Sequence, residues 1–204
     1  MSIATSSRIF IFLLLAFAWR ASLAGPILVL GDSLSAGYGL SNGSSWVSLL
    51  KDRLSADGSN DTVINASISG ETAAGGKRRI QDLLDRHQPQ VVIVELGAND
   101  GLRGTDIALI RKSLSAIIEA CQRHGAKTLL VGMRIPPNYG RNYTEKFHAL
   151  FGEISDRYGS SLVPFMLDGF AADRALFQED GLHPNAEAQS LILDNIWTQL
   201  KPLL

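Results

Sequence analysis

The chain has 204 residues with 19 basic and 20 acidic side chains, so its formal net charge is only −1. This length is typical of one domain, and a balanced charge without a basic run argues against a nucleic-acid-binding protein. Cys121 is the only cysteine, which excludes an intramolecular disulfide, and a domain of this size buries enough apolar surface without one.

The N-terminal segment predicts export. Arg8 precedes eleven consecutive apolar residues, and the small residues Ser22 and Ala24 mark a cleavage site before Gly25. This arrangement is typical of a cleaved signal peptide over residues 1–24. The alternative is an uncleaved anchor, but eleven residues are too few for a membrane-spanning helix, which needs about 20. We therefore expect a periplasmic or secreted bacterial protein without stable membrane insertion.

Residues 25–204 alternate between apolar runs and amphipathic segments. In chain order, near-continuous apolar runs predict strands at 27–31, 62–67, 91–97, 128–133 and 161–165. Apolar residues at helical spacing predict the intervening and final helices at 44–56, 78–87, 106–124, 144–159 and 185–200. Strand runs without polar alternation indicate a parallel sheet covered by helices on both faces, so the sequence predicts one α/β domain of five β/α units.

Four of the predicted loops carry polar residues that chemistry can use. In parallel sheets, ligands bind beyond the carboxyl ends of the strands, so these loops share one edge. The first strand is followed by "GDSLSAGYG" with Ser33, the second by "SISGET" with Gly70, and the third by "GANDGLRG" with Asn99. The fifth is followed by "DGLHPN" with Asp180 and His183.

These side chains match the needs of acyl transfer, which requires a nucleophile, a base, a group that orients the base, and donors for the oxyanion. We interpret Ser33 as the nucleophile and His183 as the base. Asp180 lies three residues before His183, across a turn that Gly181 permits, and is placed to hold the imidazole tautomer.

The oxyanion donors are predicted to be the backbone N–H groups of Ser33 and Gly70 and the side-chain amide of Asn99. Gly70 suits this role because an amide without a neighbouring Cβ approaches a substrate closely. Taken singly, each loop has a simpler interpretation: "GDS" as a turn and N-cap, Gly70 as a turn glycine, and "NDG" as a common turn. All of these simpler interpretations would have to hold together, whereas one active site explains the four loops at once.

At these residues the chain resembles the GDSL lipases and esterases of the SGNH hydrolase superfamily. The blocks "LGDSLSAGYG", "NASISGET", "ELGANDGLRG", "PPNYG" and "DGLHPN" are most similar, in this order, to the bacterial exported thioesterase I/protease I/lysophospholipase (arylesterase) group. The resemblance implies a three-layer α/β/α flavodoxin-like fold whose five-stranded parallel sheet has the order 2-1-3-4-5. It also implies hydrolysis of acyl esters and acyl thioesters, including aryl esters, acyl-CoA and lysophospholipids.

The substrate is expected to be a small acyl ester or thioester, bound without a metal or cofactor by a monomer. Apolar and aromatic residues on the same edge are the predicted pocket walls: Leu102, Ile135, Pro136, Pro137 and Tyr139. Two alternatives stay open. One is an esterase that acts on acetylated sugars, and the other is a non-catalytic flavodoxin-like protein that binds a ligand in its Gly- and Ser-rich loops.

Overall fold

Five parallel strands form a single sheet in the order β2-β1-β3-β4-β5, as the family resemblance implies. The computed structural model describes residues 25–204, and the predicted signal peptide lies outside the described residues. The strands are β1 (Ile27–Gly31), β2 (Val63–Asn65), β3 (Val91–Glu95), β4 (Lys127–Val131) and β5 (Ser161–Val163).

The central strands are buried along their whole length because helices cover both faces of the sheet. Every residue of β1 and β3 is buried, which explains why these segments read as apolar runs without polar alternation. In β1, Ile27 lies beside Val63 of β2 on one side and Val91 of β3 on the other. This register aligns the carboxyl ends of the strands at one edge.

Seven α-helices lie within residues 25–204: α1 (Ser33–Ala36), α2 (Trp46–Ala56), α3 (Ala73–His87), α4 (Ala98–Leu102), α5 (Ile107–Arg123), α6 (Arg141–Tyr158) and α7 (Gln189–Leu200). Strand β2 lies on one side of β1 and β3 on the other, so the connection from β2 to β3 runs opposite to the connection from β1 to β2. Because such crossovers are right-handed, α2 and α3 lie on opposite faces of the sheet. Helix α7 packs with α2, while α5 packs with both α3 and α6. None of the helices described has the length and apolar character needed to cross a bilayer.

Three predicted helix boundaries are wrong by several residues. Helix α3 was expected from residue 78 but begins at Ala73, where Thr72 Oγ1 caps it by accepting from the Gly75 N–H at 3.1 Å. The two glycines in its first turn have low helix propensity and hid this start. Helix α6 begins three residues before its predicted start, at Arg141, directly after Gly140.

Helix α7 was expected from residue 185 but begins at Gln189. The four preceding residues form a turn in which Asn185 Oδ1 accepts from the N–H groups of Glu187 at 3.0 Å and Ala188 at 3.3 Å. Asn185 therefore shapes the turn before the helix.

Cys121 of α5 is fully buried, and burial raises the pKa of its thiol to about 12, which fits a structural rather than a reactive thiol.

Two short helices replace what the sequence predicts as loops at the functional edge. Helix α1 begins one residue after Asp32, whose side chain caps it by accepting from the Leu34 N–H at 3.0 Å. Helix α4 begins after Gly97, whose φ of +115° lets the chain turn sharply out of β3. The residues that follow β1 and β3 are thus held in rigid helical turns.

Candidate active site

Ser33 and His183 meet at the carboxyl edge of the sheet although 150 residues separate them in sequence. Ser33 is the first residue of α1, and its Oγ lies 2.9 Å from His183 Nε2. Each of the two side chains is partly exposed, so a substrate reaches them from solvent. The distance and the atoms involved are those a hydroxyl nucleophile and its general base require.

Asp180 holds His183 from the opposite side. Its Oδ2 lies 2.6 Å from His183 Nδ1, while its Oδ1 accepts from the N–H groups of Leu182 at 2.9 Å and His183 at 3.0 Å. The hydrogen bond from the backbone N–H of His183 is the main cause that lowers the pKa of Asp180, to about 2. Gly181 has a φ of +70°, which permits the turn that folds the carboxylate back onto the ring.

This geometry fixes the imidazole tautomer. An ionised Asp180 accepts only, so His183 Nδ1 carries the hydrogen and donates it. His183 Nε2 is then unprotonated and accepts from the Ser33 hydroxyl. The predicted order of the three side chains is therefore the order in which the structure places them, and the proton of Ser33 points at a base.

Ser35, the next hydroxyl after Ser33 in α1, is turned away from solvent. It is fully buried, and its Oγ donates to Glu95 Oε2 at 2.7 Å. A hydroxyl that faces the protein interior and is committed to a carboxyl group cannot meet a substrate carbonyl.

Asn99 lies in the first turn of α4, not in an irregular loop. Its Nδ2 donates to Asp32 Oδ2 at 2.9 Å and to the backbone carbonyl of Glu71 at 3.1 Å. Asp32 directly precedes Ser33, and Glu71 directly follows Gly70. These two contacts place Asn99 beside the segments that carry Ser33 and Gly70, and the convergence of the three donors on one oxygen stays a prediction.

Gly70 has a φ of +78°, a conformation that other residues rarely adopt. Space is not the constraint within the protein, because a Cβ at this position would meet no atom within 4 Å. Its peptide is held by Arg103, whose Nη2 donates to the Gly70 carbonyl at 3.2 Å. The positive φ adds a backbone reason for glycine to the one inferred from sequence.

Two buried carboxyl groups near Ser33, those of Asp32 and Glu95, were not predicted from the sequence. Burial raises the pKa of Asp32 to about 6, and burial raises the pKa of Glu95 well above its usual range. The signal was present, since Glu95 is the one charged residue in the apolar run "VVIVELG". A buried strand accommodates a carboxyl group only with polar partners, so this residue indicates polar groups packed against the end of β3.

His183 is also held by residues that the sequence did not single out. The ring of Tyr38 lies 4.6 Å from that of His183, centroid to centroid, at an angle of 40°. Gln178 donates from Nε2 to the Tyr38 carbonyl at 2.8 Å and from its backbone N–H to the His183 carbonyl at 2.8 Å. Gln178 thereby joins the segment after Ser33 to the segment that carries His183.

The predicted pocket walls lie beside α4. Tyr139 donates from its hydroxyl to the Leu102 carbonyl at 2.8 Å, and Pro136 and Pro137 are exposed next to it. Ile135 is only 8% exposed, so it offers little surface to a ligand. The structure brings this segment to the edge that carries Asn99, and its contact with an acyl group stays a prediction.

Asp100, another carboxylate next to the site, has a separate task. Its Oδ2 accepts from the Ala73 N–H at 2.8 Å, at the start of α3, and burial raises the pKa of this carboxyl group. It does not replace Asp180 as the partner of His183.

In the part of the chain that the structure describes, no three His, Cys, Asp or Glu side chains lie together as a group that could hold a metal ion.

The sequence model of the GDSL-like Lipase/Acylhydrolase family matches residues 29–191, a span that includes all four loops of the site. The chain belongs to this family. Ser33, Gly70, Asn99, Asp180 and His183 all lie within the matched residues. The family resemblance of the sequence motifs is confirmed.

Similar proteins agree with this membership. Esterase TesA of Pseudomonas aeruginosa is 43% identical over 185 residues, which cover 91% of this chain and 92% of that protein. Thioesterase 1/protease 1/lysophospholipase L1 of Escherichia coli K12 is 42% identical over 195 residues, covering 96% and 92%. The crystal structure of the psychrotrophic esterase EstA from Pseudoalteromonas sp., inhibited by monoethylphosphonate, is 43% identical and covers 87% of this chain and 97% of that one, with a TM-score of 0.83.

Proposed function

We propose that this GDSL-family protein is a serine hydrolase that cleaves acyl esters and acyl thioesters through an acyl-enzyme on Ser33. The observation that carries the proposal is the unbroken hydrogen-bonded line from Asp180 through His183 to Ser33. The line ends beside an amide, Asn99, that can face the oxygen of a substrate carbonyl. The mechanism needs no cofactor.

The first half-reaction forms the acyl-enzyme. Ser33 Oγ attacks the substrate carbonyl carbon while His183 Nε2 takes the hydroxyl proton, and Asp180 stabilises the imidazolium that results. When the tetrahedral intermediate collapses, the bond to the leaving alcohol or thiol breaks and His183 returns the proton to it. In the second half-reaction water attacks the acyl-enzyme with His183 as base, which releases the carboxylic acid and restores Ser33.

The oxyanion is stabilised by the N–H groups of Ser33 and Gly70 and by Asn99. Both hydrogens of the Asn99 amide have acceptors before substrate binds: the Asp32 carboxyl group and the Glu71 carbonyl. The bond to the Glu71 carbonyl is the longer one and its acceptor is neutral, so it is the bond that an anionic oxygen displaces. Stabilisation is greatest once charge has developed, which is the condition for lowering the barrier.

The substrate class follows from the open edge and from the names of the relatives. An esterase and a thioesterase/lysophospholipase are both more than 40% identical over most of this chain. We therefore assign aryl esters, acyl-CoA and lysophospholipids as substrates, with Leu102, Pro136, Pro137 and Tyr139, but not the buried Ile135, beside the acyl chain. A monomer suffices, because every residue of the mechanism lies in one chain.

Residues 1–24 are proposed to act as a signal peptide that is removed on export to the periplasm or medium, leaving the hydrolase domain 25–204. Mass spectrometry of the exported protein should find Gly25 as the first residue. An intact N-terminus on membrane-bound protein would instead identify an anchor.

The function is tested with p-nitrophenyl butyrate, palmitoyl-CoA and a fluorophosphonate probe on the wild type and on Ser33→Ala, with Ser35→Ala as the matched control. We expect hydrolysis and labelling in the wild type and their loss in Ser33→Ala, while Ser35→Ala keeps the label. Absence of both turnover and label in the wild type would favour the non-catalytic binder. Activity on acetylated sugars far above that on thioesters would favour the sugar esterase.

A further inference from the structure

Asp32 and Glu95 lie beneath the nucleophile, and the steps proposed above use neither. Asp32 is 1% exposed and Glu95 is 2% exposed. None of the ion pairs that lysines and arginines form within residues 25–204 involves either carboxyl group. Two buried carboxyl groups without a cation to pair with do not both ionise, since burial and mutual repulsion each oppose the second charge.

The hydrogen bonds indicate which of the two keeps a proton. Asp32 uses both oxygens as acceptors, Oδ1 from the Leu34 N–H at 3.0 Å and Oδ2 from Asn99 Nδ2 at 2.9 Å. A proton on either oxygen would face one of these donors. Glu95 accepts with Oε2 alone, from Ser35 Oγ at 2.7 Å and the Asp32 N–H at 3.3 Å, so Oε1 is left to carry a proton.

The fold makes room for this arrangement. Glu95 is the last residue of β3, and it pairs with Gly31, the last residue of β1. A Cβ on Gly31 would lie 2.8 Å from Glu95 Oε2 and 2.7 Å from Ser35 Oγ. Only a residue without a side chain therefore lets the Glu95 carboxyl group cross beneath the strand end and reach Asp32. Burial raises the pKa of both carboxyl groups, and the nearby charge of Asp32 raises that of Glu95 further.

We propose that Glu95 is a positioning residue for the oxyanion site: it stays protonated at neutral pH, and this keeps Asp32 an anion that fixes the amide of Asn99. The proposal rests on the proposed function, because it assigns the Asn99 amide to the oxyanion. A charge-assisted bond from one amide hydrogen to Asp32 sets the plane of the amide, and hence the direction of the other hydrogen.

The remaining charged groups near this pair are accounted for. His183 faces Asp32 from the segment after β5, and the positive charge that the ring carries once it has taken the Ser33 proton favours the ionised form of Asp32. Asp100, next to Asn99, accepts from the Ala73 N–H instead, and Arg103 donates to the Gly70 carbonyl. Glu71 turns its carboxylate to Arg79 at 2.8 Å. Glu95 is therefore the group that sets the charge of Asp32 from below, and His183 from above.

Two substitutions separate the proton from the shape of Glu95. In Glu95→Gln the side chain keeps the size and the neutral charge of the protonated acid, and its amide oxygen can still accept from Ser35, so kcat at pH 7 should stay within about threefold of the wild type. In Glu95→Met the donor and acceptor are both lost, and kcat should fall at least tenfold with KM unchanged. The loss of kcat in Glu95→Met should not exceed the factor of about 10²–10³ that one oxyanion donor supplies.

A double-mutant cycle with Asn99→Ala distinguishes positioning from general damage. If Glu95 acts through Asn99, then Glu95→Met adds no further loss of kcat in the Asn99→Ala background. Ser155→Ala, which removes the hydrogen bond from a buried hydroxyl of α6 to the Ser160 carbonyl at 2.6 Å, is the control for destabilisation without loss of kcat. Multiplicative losses in the cycle would overturn the proposal.

The protonation state of Glu95 is measured by infrared difference spectroscopy and by the pH profile of kcat/KM. At pH 7 the wild type should show the carbonyl band of a protonated carboxylic acid that Glu95→Gln lacks, and the acid limb of the two profiles should coincide. If that band is absent, or if Glu95→Gln moves the acid limb to lower pH, Glu95 is ionised and the proposal is wrong. These readouts keep the test valid if Glu95→Met does not fold. Full activity of Ser33→Ala would instead refute the proposed function itself.

Discussion

The role of Asp180 gives the sharpest test of the triad, because Asp180→Asn changes only one atom of the side chain. Asp180 accepts three hydrogen bonds, two at Oδ1 from the backbone and one at Oδ2 from the His183 ring. An asparagine has a single carbonyl oxygen. If that oxygen keeps the two backbone N–H groups, the NH2 group faces His183 Nδ1 and stabilises the tautomer that carries its hydrogen on Nε2. That tautomer donates towards Ser33 and is no base.

The opposite rotamer of the asparagine would hold the ring correctly but turn its NH2 group onto the N–H groups of Leu182 and His183. It would thus lose two backbone hydrogen bonds, so the inactive arrangement should dominate. In serine proteases the equivalent substitution lowers kcat by about 10⁴, and we expect a loss of this order here. His183→Ala removes the base itself and should cost about one to two decades more.

The assay is kcat for p-nitrophenyl butyrate in Asp180→Asn, His183→Ala and the double variant, with circular dichroism to establish folding. Because Asp180 acts through His183, the double variant should be no slower than His183→Ala alone. A double variant whose loss equals the product of the two single losses would show that Asp180 acts independently of His183. The triad assignment would then be refuted.

Three further outcomes are expected. Asn99→Ala should lower kcat by about 10²–10³ with little change in KM, because an oxyanion bond strengthens mainly in the transition state; a change confined to KM in steady-state assays would show ground-state binding instead. The pKa of Asp180 is lowered to about 2, so its stabilisation of the fold is complete above the unfolded value of 3.8 and is lost as the pH falls towards 2. Urea unfolding between pH 2 and 5 should therefore show a steeper acid loss in the wild type than in Asp180→Asn, and equal slopes would contradict the assignment. Gly132→Ala should destabilise by about 1–3 kcal/mol, since its Cβ would lie 2.4 Å from the Pro164 carbonyl oxygen. Gly152→Ala in α6 meets no atom within 4 Å and should stabilise by about 0.5–1 kcal/mol; equal melting temperatures for the two variants would refute the packing argument.

Sequence reasoning reached the residues whose chemistry is visible in short motifs. Ser33 and His183 follow predicted strands, and parallel strands place such loops at a common edge whatever their separation in the chain. The parallel sheet was predictable because apolar runs without polar alternation are typical of strands buried on both faces. The starts of α3 and α7 were less predictable, because Ala73 and Gln189 depend on capping and turn contacts rather than on apolar spacing.

The support beneath the site could not be predicted because it depends on three-dimensional proximity. Glu95 and Ser35 are 60 residues apart, and Gln178 and Tyr38 are 140 apart. No local pattern links either pair. The bond between Asn99 and Asp32 likewise arises from helical turns that the sequence suggests only as loops. The proposed triad of Ser33, His183 and Asp180 is therefore readable from sequence, whereas the buried groups that support it are not.

The central claim is a covalent acyl group on Ser33. The most direct measurement is mass spectrometry of protein quenched in acid during turnover of p-nitrophenyl butyrate, followed by peptide mapping. We predict that part of the protein gains the mass of one butyryl group, that the group maps to Ser33, and that Ser33→Ala gains none. A butyryl group on another residue, or turnover by Ser33→Ala at the wild-type rate, would contradict the account.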